Sequence, residues 1–137
     1  MTALTKLLFP LPALRRSPEM LFAWWESRRI AYNAIVGGAG LVTIGTLQCI
    51  SFLPPHLPLQ VPWQVVAAYG IAANVCYSLG YLTEWLLDRL WGDDVAPVGP
   101  TLFRHGLVFS VGLTVLPIGI AWVGYLVSAA RALLGQA

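Results

Sequence analysis

The segment HGLVFSVGLTVLPIGIAWVGYLVSA, from about His105 to Ala129, sets the strongest limit on what this chain can fold into. A helix that crosses a bilayer takes about 20 mostly apolar residues. Two further segments meet the same demand: IAYNAIVGGAGLVTIGTLQCISFL, Ile30 to Leu53, and WQVVAAYGIAANVCYSLGYLTEWLL, Trp63 to Leu87. In hydrocarbon every backbone N–H and C=O must be satisfied internally, so runs of this kind fold as helices. Interior Gly and Pro do not argue otherwise, because spanning helices tolerate both. Pro117 is expected to kink the third span, since it removes a donor and crowds the preceding turn. Composition agrees. Charged residues make up 10% of the 137 residues and hydrophobic ones 58%, where a soluble domain carries about 25% charged. The mean hydropathy is +0.72. The few basic residues lie beside apolar runs, which excludes a nucleic-acid surface.

The expected architecture is all-α: an integral membrane bundle of three transmembrane helices preceded by a short interfacial amphipathic helix, in one domain. The spans occupy residues 30–53, 63–87 and 105–129. Residues 1–29 form an N-terminal segment, 54–62 an outer loop, 88–104 an inner loop and 130–137 an outer tail. In the N-terminal segment Ser17 can cap a helix with Pro18 at its first position. Met20, Leu21, Trp24 and Trp25 then form an apolar stripe beside Glu19, Glu26, Arg28 and Arg29, as in a helix lying on a membrane. One longer continuous helix is the alternative. The apolar run before it is broken by Pro10 and Pro12 and lacks a small-residue cleavage pattern, so it is read as mature chain and not as a secretory signal.

Lys6, Arg15, Arg16, Arg28 and Arg29 precede the first span, Arg89 and Arg104 lie in the second loop, and Arg131 is in the tail. Basic residues favour the cytoplasmic side. An N-terminus inside and a C-terminus outside place seven of the eight there. Trp24, Trp25, Trp63, Trp85, Trp91 and Tyr125 are expected in the interfacial belts.

On a helical projection Ala67, Gly70, Asn74, Tyr77, Tyr81, Glu84 and Asp88 share one face of the second span. Glu26, Arg29, Asn33, Gly37, Gly40 and Ile44 share a face of the first. The spans run antiparallel, so these stripes are expected to meet: Arg29 in an ion pair with Glu84, Tyr81 opposite Asn33, Tyr77 opposite Val36 and Gly37, Asn74 opposite Ala39 and Gly40. Thr114 is expected near the depth of Asn74 and Ser110 near Tyr77. Small residues allow close approach and polar side chains join helices across the contact. The seam expected to hold the bundle or a partner therefore comprises Glu26, Arg28, Arg29, Tyr32, Asn33, Asn74, Tyr77, Tyr81 and Glu84. A plainer reading leaves Glu84 reaching headgroups and water, and Arg28 and Arg29 on anionic lipid.

Other residues carry weaker signals. His105 can ligate a chlorophyll-type pigment or donate to a lipid phosphate, though a plain interfacial histidine is the simpler reading. His56 falls at the opposite face, so the two cannot share one haem. Cys49 and Cys76 fall at different depths and read as small apolar residues, not a disulfide. Asp93 and Asp94 read as a solvated loop. The glycines of VGGAG lie inside a span with no charge beside them, which makes a packing surface and not a phosphate loop. No G-x-S-x-G, H-E-x-x-H or Cys/His cluster occurs, so no catalytic set, metal or cofactor is expected.

The motifs ESRRIAYN, Glu26 to Asn33, and NVCYSLGYLTE, Asn74 to Glu84, resemble those of a group of small, functionally uncharacterised bacterial integral membrane proteins. The resemblance covers the first two spans. It implies a multi-pass protein of the bacterial cytoplasmic membrane and brings no activity or functional residues with it.

Three functions compete at this level. The first is a non-enzymatic accessory or assembly subunit of a larger membrane complex, or a homo-oligomer, whose partners are the bilayer and other subunits or copies of itself. The second is an oligomeric small transporter or channel that lines a path with the polar face of the second span. The third, a membrane enzyme acting on lipid, needs charge converging in a pocket at the inner face. An inverted-repeat transporter within one chain is disfavoured, because three spans do not divide into equal halves.

Overall fold

The computed structural model describes residues 17–91 and 98–135. Lys6, Arg15, Arg16, Asp93, Asp94 and the end of the tail lie outside them. Three helices account for the described secondary structure: α1 (Pro18–Ser51), α2 (Trp63–Trp91) and α3 (Gly99–Leu133). All three are long and apolar enough to cross a membrane. At about 1.5 Å per residue each exceeds the roughly 30 Å of a hydrocarbon core. The polar residues flanking each apolar run therefore continue the same helix.

Ser17 caps α1 as expected, accepting from the Met20 amide at 3.3 Å with Pro18 in the first turn. The separate interfacial helix is not present. Residues 18–51 form one uninterrupted helix, and its first turns pack into the bundle. Two features explain this. No Gly or Pro interrupts the sequence between Glu19 and Val36. Leu21 and Trp25 are buried in a cluster with Tyr32, Val36, Ala73, Tyr77 and Phe103. Of the stripe expected on a membrane surface, Leu21 and Trp25 face protein, Trp24 is half-buried and Met20 stays exposed.

Contacts fix the relative directions. Phe22 meets Tyr81 and Asn33 meets Asn74, so α1 and α2 are antiparallel. Tyr32 meets Ser110, Thr43 meets Thr114 and Leu47 packs with Ala121, so α1 and α3 are parallel. Most of the packing lies between α1 and α3, and α2 contributes only Ala73, Tyr77 and Glu84 to the buried set. A second cluster at the far end gathers Leu47, Ile50 and Ala121, with Leu59, Val61 and Tyr125 against it. The proline-rich connection 52–62 is thus folded onto the ends of α1 and α3. Helix α3 runs through Pro117 without interruption.

The outer surface is apolar. Leu41, Val42, Ile71, Val75, Val108, Phe109, Ile120 and Val123 all point outward, a surface compatible with a lipid bilayer.

The register of α1 against α2 differs from the expected one. Asn74 meets Asn33, about six residues along α1 from Ala39 and Gly40, which is roughly 9 Å at 1.5 Å per residue. The expected register was anchored on an Arg29–Glu84 ion pair. The real anchor is Trp25, one turn earlier, whose long side chain reaches Glu84.

Candidate functional site

Most polar side chains of the bundle fall into two groups, one closed and one open.

The closed group begins at Glu84. The residue is 4% exposed, and its carboxylate is held by two donors. It accepts from Trp25 Nε1 at 2.7 Å and from the Gly99 amide at 2.9 Å. Gly99 is the first residue of α3, and that helix has no side-chain cap of its own. Glu84 therefore caps α3 from a different helix. An anion there meets unsatisfied amides and the positive end of the helix dipole. A Cβ on Gly99 would collide with the carboxylate, so only glycine lets the two meet. Gly80 serves Trp25 similarly, since a Cβ there would lie 2.8 Å from the indole Cη2.

Above this knot sits an aromatic stack. Tyr77 lies at 5.2 Å from Trp25 and 4.7 Å from Tyr32 between ring centroids. The Tyr77 hydroxyl donates to the Trp25 carbonyl. The Tyr32 hydroxyl lies 3.2 Å from the Ala73 carbonyl and 2.8 Å from Ser110 Oγ. One turn further, Tyr69 donates to the Ser110 carbonyl at 2.9 Å and bonds Thr114 Oγ1 at 2.6 Å. Thr43 donates to the Thr114 carbonyl at 3.0 Å. Each of these ties reaches a second helix through a hydroxyl, the pattern that joins helices where water is scarce.

The open group lies one residue around α1. Arg29 pairs with Glu26 at 2.7 Å. It also donates to Ser78 Oγ at 3.4 Å and lies 5.3 Å from the Tyr77 ring centroid. Four residues on, Asn33 and Asn74 exchange reciprocal amide bonds of 3.3 and 3.0 Å. Asn74 also donates to the Gly70 carbonyl at 3.0 Å. Asn33 is exposed and Asn74 half-buried. The pair borders a groove of about 190 Å³ between α1 and α2, lined also by Gly37, Gly40 and Ile44. A wider groove of about 690 Å³ continues over α2 past Arg29, Gly70, Asn74 and Ser78.

The nine expected seam residues are thus divided. Tyr32, Tyr77 and Glu84 are core, Glu26, Arg29, Asn33 and Asn74 form the open edge, and Tyr81 is half-buried with its ring against Phe22 at 5.8 Å. Arg28 is buried, donates to the Trp24 carbonyl at 3.1 Å and lies 4.0 Å over the Trp24 ring. The expected Arg29–Glu84 ion pair is not formed. Glu26, three residues before Arg29 on the same helix, takes the guanidinium, and the shifted register brings Trp25, four residues before Arg29, to Glu84 instead. Nor does Glu84 reach headgroups and water, because Trp25 and Gly99 enclose it. Thr114 sits at Tyr69, about one turn from the expected level of Asn74.

Sequence reasoning missed Trp25, Tyr69, Gly80 and Gly99. Trp25, expected in an interfacial belt, is 2% exposed. The signal that could have found it is the buried face Leu21, Trp25, Arg28, Tyr32, Val36, Thr43, Leu47 and Ile50. That face has helical spacing and lies one residue, about 100°, from the glycine-bearing stripe.

His105 is exposed, and its Nδ1 lies 2.8 Å from the Thr101 carbonyl. A carbonyl only accepts, so Nδ1 carries the proton and Nε2 is the acceptor of the neutral ring. Cys49 and Cys76 are both free and exposed. Among the described residues no three His, Cys, Asp or Glu side chains converge as a metal site would require. No family model, curated protein or solved structure matches the chain.

Proposed function

We propose that this chain is a non-enzymatic integral membrane protein that works by associating through its helices, as an accessory or assembly subunit of a larger membrane complex or as a homo-oligomer. The reading places it in a bacterial cytoplasmic membrane with the N-terminus cytoplasmic and the C-terminus periplasmic. The observation that carries it is the Asn33–Asn74 pair on the outward edge of the bundle. Hydrocarbon leaves amide groups unsatisfied, and the usual remedy is another helix. The grooves beside the pair are bordered by Gly37, Gly40, Gly70 and Ala67, which leave room for such an approach.

The competing readings have less support. A conducting path along α2 would run on Asn74, Ser78 and Arg29 alone, because Tyr77 is committed to Trp25. Chemistry on lipid needs a reactive group within reach of substrate, and Glu84 is enclosed. The test is the mass of the particle extracted with its native lipid, with every polypeptide in it identified. More than one chain is expected, and a solitary copy overturns the reading.

A further inference from the structure

The geometry points to a second copy of this chain as the occupant of the open α1–α2 edge, in a parallel two-fold dimer centred on Asn33. The inference rests on the association reading above and names its partner.

A carboxamide offers two N–H donors and two acceptor lone pairs on its oxygen. Asn74 spends both donors, one on Asn33 and one on the Gly70 carbonyl. Asn33 spends one donor and one lone pair on Asn74. Its second N–H and second lone pair have no intramolecular partner among the described residues, and the side chain is exposed. An acyl chain can satisfy neither. A helix carrying a carboxamide at the same depth satisfies both at once.

Symmetry supplies that helix. Two copies inserted in the same orientation are related by a two-fold axis along the membrane normal, and each residue near the axis then meets its own counterpart at its own depth. For Asn33 this is amide against amide, where each donor finds an acceptor. One turn away, Glu26 and Arg29 stand three residues apart on the same edge, paired within the chain at 2.7 Å. A second copy brings Glu26 to Glu26 and Arg29 to Arg29 at the same depth, and the pairing within each chain leaves each edge electrically neutral, so charge does not oppose the approach. Further along lies Gly37, where a Cβ would meet nothing within 4 Å. The same edge thus offers a self-complementary amide, charges already neutralised within each chain and open space for backbone approach.

The test uses the full chain in native membranes with Cys49 and Cys76 replaced by Ser. Gly37→Cys places a thiol on the edge without a clash. Val108→Cys, exposed and two residues from Ser110, places one on the opposite side of α3. Oxidation with copper phenanthroline is expected to link Gly37→Cys into a dimer of this chain and to leave Val108→Cys monomeric. Asn33→Leu is expected to lower the dimer fraction about tenfold in dimerisation constant. Gly37→Leu, whose Cβ would meet nothing within 4 Å in the single chain and whose bulk blocks approach, is expected to do the same. Equal cross-linking from both positions overturns the assigned face. Capture of a different polypeptide by Gly37→Cys overturns the second copy and leaves the association reading standing. A solitary chain in the native-lipid particle overturns both.

Discussion

At the residue scale the fold depends on a few acceptors placed where donors cannot turn to water. Glu84 serves two of them, Trp25 Nε1 and the Gly99 amide. Replacing it by Ala leaves both donors enclosed without an acceptor, at about 1–3 kcal/mol for each stranded group. Glu84→Gln keeps one oxygen and turns an amide N–H₂ against the other donor, so its loss is expected to be smaller. Unfolding in mixed micelles, followed by tryptophan fluorescence, should rank wild type above Gln and Gln above Ala. If Gln and Ala destabilise equally, the capping role of the carboxylate is wrong. Tyr32→Phe removes the link to Ala73 and Ser110 and should cost roughly 0.6–2 kcal/mol in the same measurement.

At the scale of the element, glycines that look alike in sequence do different things. Gly38 faces open space, so Gly38→Ala is expected to be neutral or to stabilise by up to about 1 kcal/mol. Gly80 lies under Trp25, and Gly80→Ala forces a buried indole to move, at about 1–3 kcal/mol. Denaturation of the two variants side by side checks the contrast. Hydropathy alone located all three helices, because apolar length is a property of the segment itself. It missed their ends, because Arg28, Arg89 and Thr101 are helical too, and nothing in an apolar count extends a helix beyond the hydrocarbon. The seam was legible in membership but not in register. Asn33, Asn74, Tyr77 and Glu84 stand out as polar residues in apolar runs. Which of them meet is decided by side-chain reach, and Trp25 reaches a full turn further than the pairing of charges allowed for.

At the scale of the whole molecule, one helix is thinly held. Helix α2 buries only Ala73, Tyr77 and Glu84 and is tied to the others further by Tyr69 and Asn74, while α1 and α3 share the longer contact. The positive-inside distribution predicts a cytoplasmic N-terminus. A periplasm-dependent phosphatase fused after Ala137 should then be active, and a cytoplasm-dependent fluorescent fusion at the same point should be dark. The reverse result would invert the orientation and leave the packing untouched. A parallel dimer would also bring a second α1 against the open side of α2.

The cap that Glu84 gives to α3 has a consequence for biosynthesis. Chains emerge from the ribosome in order, so α2 is made before the helix it caps. When Gly99 emerges, the acceptor for its amide is already part of the chain, and so is Trp25, which holds that acceptor in place. The third span therefore meets a waiting template at its first residue. A nascent chain whose second span has not inserted offers no such template, and its third span starts with bare amides. One carboxylate thus ties the seating of the last helix to the two made before it.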